Sequence, residues 1–227
     1  MIDGDKAMKT EAKVTPEQMR TVMEILAATY RGRGAVELGE PYRVLVSTVI
    51  SQRTREEQTA AVSRRVLAHY PDVASLAVAD EQALLGLLAG SEYREAKAPR
   101  LVAMAKILLE KYGGRIPDDI DALLALPGIG RKTANCVLIY AFNREAICVD
   151  THLHKIANRL GWVTTKTPEQ TEKALKILMP RDLWAGSNRL FLQHGRAVCL
   201  SGAPPLCSRC PVRPWCVYGQ EPTARKR

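Results

Sequence analysis

Residues 126–134 read Leu-Pro-Gly-Ile-Gly-Arg-Lys-Thr-Ala, and this stretch decides the fold. Two glycines flank one apolar residue between two helical patterns, so the segment turns one helix into the next. Glycine permits close approach and unusual φ, so such a turn can set bare backbone N–H groups against an anion. The N-terminus of the following helix adds its own unpaired N–H groups and the positive end of its dipole. Taken alone, Gly-x-Gly is an ordinary αα-hairpin turn in a helical bundle.

Outward from the turn, nearly every segment reads as helix. Thr15-Pro16-Glu17-Gln18 is a capping box with Pro at the first helical position. Behind it, Met19, Val22, Met23 and Leu26 share one face. Pro41 starts an apolar helix through Val44, Leu45, Thr48 and Val49. Thr54 with Glu57 is a plausible cap for a helix reaching about Tyr70. Asp80 begins a short Leu-rich helix, and a long one runs from about Glu95 to Tyr112, ended by Gly113-Gly114. Asp118 starts a short helix that leads into the glycine turn. Thr167-Pro168-Glu169-Gln170 repeats the first capping pattern. Sustained alternation of β-branched residues is missing throughout. The longest strand-like run, Ala146-Ile147-Cys148-Val149, has no neighbour to pair with, so the expected fold is all-α. The tail from Thr223, ending Arg225-Lys226-Arg227, reads as disordered.

The 227 residues carry 33 Lys+Arg against 24 Asp+Glu, a net charge of +9. Such a surplus favours polyanion partners, nucleic acid first, although it also suits an unspecialised basic protein. The N-terminus has no apolar core of a secretory signal, and no segment is long and apolar enough to span a bilayer. The expected setting is intracellular, in cytoplasm or nucleoid, with no membrane partner. In this basic context, Leu-Pro before the turn and Arg-Lys-Thr after it make a helix-hairpin-helix pattern. That device grips the DNA backbone through groups such as Gly128, Gly130, Arg131 and Thr133, and does not read bases.

Lys132 has two readings. It is a phosphate contact, or it is an amine nucleophile that forms a Schiff base. The helix N-terminus and Arg131 both disfavour its ammonium form, which suits the second. Asp150, eighteen residues on in Val149-Asp150-Thr151-His152, precedes a helical pattern. By sequence alone it is an N-cap. A carboxylate held in direction by backbone N–H groups could also stabilise positive charge on a sugar ring or help activate an amine. Close pairing with Lys132 would oppose the lysine's activation, so the two are expected to face one substrate atom more than each other. His152 and His154 invite a metal or acid–base reading, but beside Asp150 a hydrogen-bonding or phosphate role fits better.

Four of the six cysteines crowd together: Cys199, Cys207, Cys210 and Cys216, separated by seven, two and five residues. In a reducing compartment such clustering means metal more often than disulfide. Four thiolates bind zinc or a cubane iron–sulfur cluster, and the spacing alone favours neither. Cys136 and Cys148 read as small buried apolar residues.

Residues 126–134, Asp150-Thr151-His152 and the terminal cysteines together resemble the endonuclease III family of DNA glycosylases, over about Glu17 to Cys216. The resemblance implies two helical lobes: 34–144, a continuous lobe carrying the helix-hairpin-helix, and 1–33 plus 145–227, a second lobe with a C-terminal [4Fe–4S] cluster loop. It puts Lys132 on the Schiff-base lysine and Asp150 on the catalytic aspartate. Adenine-removing relatives usually have Ser at the lysine position and a thymine-mismatch branch can have Tyr. Lys132 therefore implies a bifunctional enzyme for oxidised pyrimidines of the thymine glycol type. The partner implied is double-stranded DNA with a damaged base or abasic site, met by a monomer. The metal choice moves to [4Fe–4S], in a structural role, although many relatives have six residues between the first two ligands. Gln52 matches the glutamine that fills the gap left by the flipped base. Ser91-Glu92-Tyr93-Arg94 aligns with a wedge loop that usually has Gly and an apolar residue; here Tyr93 would wedge by stacking. The uncharged loop 200–206 departs from the basic one of relatives, leaving Arg196, Arg209 and Arg213 to meet DNA. Two rival readings stand beside this one: a monofunctional glycosylase whose Lys132 only contacts phosphate, and a non-enzymatic DNA-binding module with a structural metal site.

Overall fold

A computed structural model of the chain describes residues 14–30 and 39–221. In chain order its helices are α1 (Pro16–Thr29), α2 (Pro41–Ser51), α3 (Glu56–His69), α4 (Val73–Ala77), α5 (Glu81–Leu87), α6 (Arg94–Tyr112), α7 (Ile120–Leu124) and α8 (Arg131–Phe142). They continue as α9 (Thr151–Leu160), α10 (Pro168–Leu178), α11 (Trp184–Ala197) and α12 (Val217–Gln220), with short 3₁₀ turns at Arg181–Leu183, Cys207–Arg209 and Arg213–Trp215. The described residues contain no strand, as the all-α reading expects. Residues 146–149 are buried and belong to no helix or sheet. The tail expected to be disordered, 223–227, lies outside the described residues.

Most helix ends follow from local chemistry. At α1 the capping box closes in both directions: Gln18 N donates to Thr15 Oγ1 (3.2 Å) and Thr15 N to Gln18 Oε1 (3.0 Å). At α10, Gln170 N donates to Thr167 Oγ1, but Gln170 Oε1 accepts from Lys166 N instead of closing the box. Asp80 caps α5 through Ala83 N. The long helix α6 ends where Gly113 turns left-handed, and Gly114 N returns to Leu108 O. Pro99 lies inside α6, where it gives up the N–H that would have met the Glu95 carbonyl. Two expected starts are displaced by one residue. The N-cap of α3 is Arg55, whose donor-only side chain makes no cap, while the Thr54 hydroxyl is engaged elsewhere. The cap of α7 is Asp119, while Asp118 pairs with Arg144.

The described residues fall into two compact units, one within Val36–Ala146 and one drawn from Met1–Ala35 and Ile147–Arg227. In the continuous unit, α2 packs on α3, α6 and α8, and α4 lies along α6. Leu101, Ala105 and Leu108 of α6 are fully buried at helical spacing, as are Leu45, Val46 and Ile50 of α2. The second unit joins sequence ends that lie far apart. Met19, Val22 and Leu26 of α1 are fully buried in one cluster with Leu153, Ile156 and Leu160 of α9 and Phe191 of α11. Each such side chain contributes ~1.5–3 kcal/mol on burial. Trp162 meets Phe191 edge to face, with centroids 5.4 Å apart. Arg20 grips Asp182 with both terminal nitrogens, at 2.5 and 3.1 Å, and ties α1 to the turn before α11. No helix among the described residues is long and apolar enough to cross a membrane.

Candidate functional site

In the continuous unit, the glycine turn joins α7 to α8. Gly128 has φ +80, and a Cβ there would stand 3.1 Å from Arg100 Cδ, so its need for glycine is internal. Gly130 differs. It is exposed, holds φ −94 and ψ 172 as the N-cap of α8, and a Cβ added to it would meet nothing within 4 Å. Neither Gly128 N nor Gly130 N has a hydrogen-bond partner among the described residues. Two backbone donors are therefore left unused by the described residues at the positive end of a twelve-residue helix. Arg131 and Lys132 are the first two residues of that helix, Arg131 half-buried and Lys132 exposed. Thr133 is buried, and its hydroxyl accepts from Gln52 Nε2 at 3.2 Å. Its side chain is thus committed inward, which leaves only its backbone to face a ligand.

Gln52 ends α2, and its amide nitrogen also donates to Gly128 O at 2.9 Å, so the residue is fastened to the hairpin. Tyr93 is 60% exposed at φ +54, just before α6. Arg53, at φ +58, lays its guanidinium over the Tyr93 ring, 5.6 Å from the centroid. Both are held in a region that costs non-glycine residues ~1–2 kcal/mol. Gln52, Arg53, Tyr93, Lys97 and Arg100 line an open pocket of about 360 Å³.

In the second unit, Asp150 caps α9. Its Oδ1 accepts from His152 N (2.9 Å) and Leu153 N (2.8 Å), which fixes the carboxylate in direction and leaves Oδ2 without a partner among the described residues. The His152 ring rests on Gly195 of α11, where a Cβ would overlap it, with Nδ1 3.5 Å from Ser201 Oγ. His154 instead turns to Thr171 Oγ1 at 2.7 Å, within a polar cluster that includes Thr165 and Asn158. Of the arginines expected to replace a basic loop, Arg196 and Arg209 are exposed, but Arg213 turns inward to Gly219 O.

Cys199, Cys207, Cys210 and Cys216 are free thiols and line one cavity. Among the described residues no group of three or more His, Cys, Asp or Glu is drawn close enough to hold a metal as it stands. The chemistry of the donor set nonetheless suits a cationic centre. Burial pushes the Cys210 thiol up to about 11, opposed by the Val212 N–H and aided by the other three cysteines. Burial also raises Cys199, opposed by Arg159, and raises Cys216, opposed by the Gly219 N–H. Arg159 Nη1 lies 3.1 Å from Cys199 Sγ and also donates to the Cys199 and Leu200 carbonyls. His194, buried and pushed down to about 4 by that burial, sits between Tyr30 Oη (3.0 Å) and Cys210 Sγ (3.6 Å). Cys136 and Cys148 are both buried.

Sequence reasoning passed over Lys97, Arg159 and His194. A signal existed for two of them. Lys97 falls on the apolar face of α6 with Leu101, Ala105 and Leu108, and His194 on that of α11 with Ser187, Leu190 and Phe191. A polar residue in an apolar stripe needs an internal partner.

Residues 46–181 match the family described as HhH-GPD superfamily base excision DNA repair protein. The endonuclease III of Thermotoga maritima is 48% identical over 179 residues, which cover 79% of this chain and 84% of the relative. That of Synechocystis is 32% identical over 201 residues, 88% of this chain and 91% of the relative. Among solved structures, a trapped covalent endonuclease III–DNA intermediate, an estranged-adenine complex, is similar at TM-score 0.83 and 27% identity, over 94% of this chain and 100% of that one. A non-covalent endonuclease III–DNA complex gives 0.84 at 26% identity with the same coverage.

Proposed function

The chain belongs to the endonuclease III family within the HhH-GPD superfamily, and from that membership we propose that it removes oxidised pyrimidines of the thymine glycol type, with Lys132 as nucleophile and Asp150 as catalytic carboxylate. The protein is a base-excision repair enzyme, a DNA glycosylase and abasic-site lyase acting on double-stranded DNA with a damaged base. The observation that carries the residue assignment is local. An exposed lysine stands at the second residue of α8, directly beyond two glycine N–H groups that no described residue occupies. Phosphate held there brings a sugar within reach of an amine, and proximity does much of the catalytic work.

In the proposed sequence the damaged base is extruded from the stack, most readily where damage has weakened stacking or pairing. Lys132 Nζ bonds to C1′, and the C1′–N bond breaks with its electron pair leaving on the base. Asp150, its direction set by two backbone N–H groups, stabilises positive charge developing on the sugar. Opening of the sugar gives an imine that acidifies the C2′ proton. Loss of that proton expels the 3′ phosphate by β-elimination, and water later releases the lysine. Gln52 fills the vacated space, Tyr93 wedges, and Gly128, Gly130, Arg131, His152 and the Thr133 backbone hold the strand. Cys199, Cys207, Cys210 and Cys216 would hold a [4Fe–4S] cluster, which supplies cross-linking of the C-terminal loop and takes no part in base removal. The enzyme acts as a monomer in the cytoplasm or nucleoid.

Borohydride reduction with abasic duplex tests the chemistry. The wild type becomes covalently trapped, and Lys132→Gln does not trap while binding the same duplex nearly as well. Wild type that fails to trap refutes the Schiff base. A cleavage panel of oxidised pyrimidines and purines with matched opposite bases tests the substrate class.

A further inference from the structure

One buried lysine lies beneath the Gln52 and Tyr93 turns. Lys97 is 2% exposed on α6. Four acceptors surround the three N–H groups of its Nζ, so one N–H is shared: Ile50 O (2.7 Å), Gln52 O (2.8 Å), Thr54 Oγ1 (3.0 Å) and Ser91 Oγ (2.8 Å). The two carbonyls belong to the C-terminal end of α2, where helix carbonyls lack internal partners and a cation is favoured. The two hydroxyls belong to the turns on either side. They lie 3.2 Å from each other, and Thr54 Oγ1 also accepts from Glu92 N at 3.1 Å. Gln52 in turn reaches Gly128 and Thr133 of the hairpin. Three separate stretches of chain thus meet in one polar network, with the ammonium group at its centre. At the outer edge of that network stand Arg53 and Tyr93, both at positive φ, a conformation such side chains rarely adopt unless surrounding structure holds them.

We propose that Lys97 is a positioning residue: it locks the Gln52–Thr54 turn to the Ser91–Tyr93 turn, so that the gap-filling and wedging side chains meet DNA as one preformed unit. The inference rests on the reading of Gln52 and Tyr93 as DNA-facing. Lys97 is buried at the floor of the pocket and takes no part in bond breaking. Its contribution is preorganisation, since loops already ordered need not be ordered at the expense of binding. The expected signature is therefore selective. Recognition of damage within a duplex depends on the two turns, whereas β-elimination at an abasic site in single-stranded DNA needs neither gap filling nor wedging.

The experiment compares Lys97→Met, Ser91→Ala, Gln52→Ala and Tyr93→Ala. Two quantities are read: the ratio of Kd for undamaged and damaged duplex, and the lyase rate on a single-stranded abasic oligonucleotide. Lys97→Met should lower the Kd ratio about tenfold or more, the scale of a lost hydrogen bond to a charged group. Its single-strand rate should stay within about twofold of wild type, and Ser91→Ala should move the ratio the same way by less. The proposal is overturned if Lys97→Met keeps the wild-type ratio while Gln52→Ala and Tyr93→Ala lose it, which leaves the DNA-facing reading intact. It is overturned equally if Lys97→Met loses both quantities in proportion, the mark of a merely structural lysine. If Gln52→Ala and Tyr93→Ala both keep the wild-type ratio, the DNA-facing reading fails and the proposal falls with it. Should Lys97→Met not fold, Ser91→Ala and Thr54→Val decide: wild-type ratios in both reject the lock, and reduced ratios support it.

Discussion

The two glycines of the hairpin look alike in sequence but carry different duties, and alanine substitution separates them. Gly128→Ala puts a side chain at φ +80, which costs ~1–2 kcal/mol, and sets its Cβ 3.1 Å from a carbon of the exposed Arg100 side chain, which can shift. In a chain of this size each kcal/mol lowers the melting temperature by roughly 2–4 °C, so the loss should be visible. Gly130→Ala should not be. Its φ of −94 and ψ of 172 suit any residue, and its Cβ enters open space. Alanine is a poorer N-cap than glycine by ~0.5 kcal/mol, but it removes ~0.4–1 kcal/mol of unfolded-chain entropy, so the two effects cancel. DNA affinity should reverse the order. If a phosphate oxygen occupies the space before Gly130 N, the new methyl displaces it and removes a hydrogen bond to a charged group, ~1.5–3 kcal/mol. Kd should then rise about tenfold to a hundredfold. Because phosphates and not bases are gripped, the rise should be equal for damaged and undamaged duplex. Fluorescence anisotropy at fixed salt measures it, and thermal melting supplies the control. A Gly130→Ala protein with wild-type melting and wild-type Kd would refute the phosphate grip.

Asp150→Asn keeps an acceptor for His152 N and Leu153 N, so its melting should match wild type while single-turnover base release slows about a hundredfold or more; an unchanged rate removes Asp150 from catalysis. Asp150→Ala should in addition lose ~1 kcal/mol of cap, seen as roughly 2–4 °C in melting. Anaerobically purified protein should be brown with four irons and four sulfides per chain, the stoichiometry of a cubane cluster, and Cys210→Ser should bleach it; colourless, zinc-loaded protein rejects the cluster. Burial pushes the Lys97 ammonium down to about 8, with Glu92 opposing. Between about pH 8 and its ordinary 10.5 the unfolded chain holds a proton that the folded chain has shed, so the cost of burying this charge lifts as pH rises through that window. In the folded chain the ammonium's hold on its four acceptors fades as pH passes through about 8, with Arg53 and Arg100 lining the adjoining pocket. Damage discrimination should therefore fall from pH 7 to 9 without a matching fall in melting temperature; discrimination flat across that range in wild type would show that the proton on Lys97 does not matter.

What could be read from the sequence was what adjacent residues decide among themselves. Thr15 with Gln18, Asp80 with Ala83, and Gly113 with Gly114 settle their helix ends within a few residues, and the all-α fold follows from such signals. Thr54 shows where this stops. By local chemistry it is a cap for α3, yet its hydroxyl serves a lysine that arrives 43 residues later. The same holds for His194, whose partner Tyr30 is 164 residues away. The hairpin's groups were legible because the turn is built from its own glycines and helix start. The parts that aim the neighbouring turns were hidden because they are tertiary. Lys97 joins α2, the Ser91 turn and, through Gln52, the hairpin, and no window of sequence contains more than one of these. The same division accounts for the departure at Ser91-Glu92-Tyr93. Read alone, a segment without the relatives' usual glycine and apolar residue is ill suited to wedging. Within the fold, Ser91 is buried on Lys97, Glu92 is anchored to Thr54 through its backbone, and the exposed Tyr93 ring lies beneath the Arg53 guanidinium. The cation over its face is attracted to the ring, so the exposed Tyr93 is held by its own neighbour across the turn.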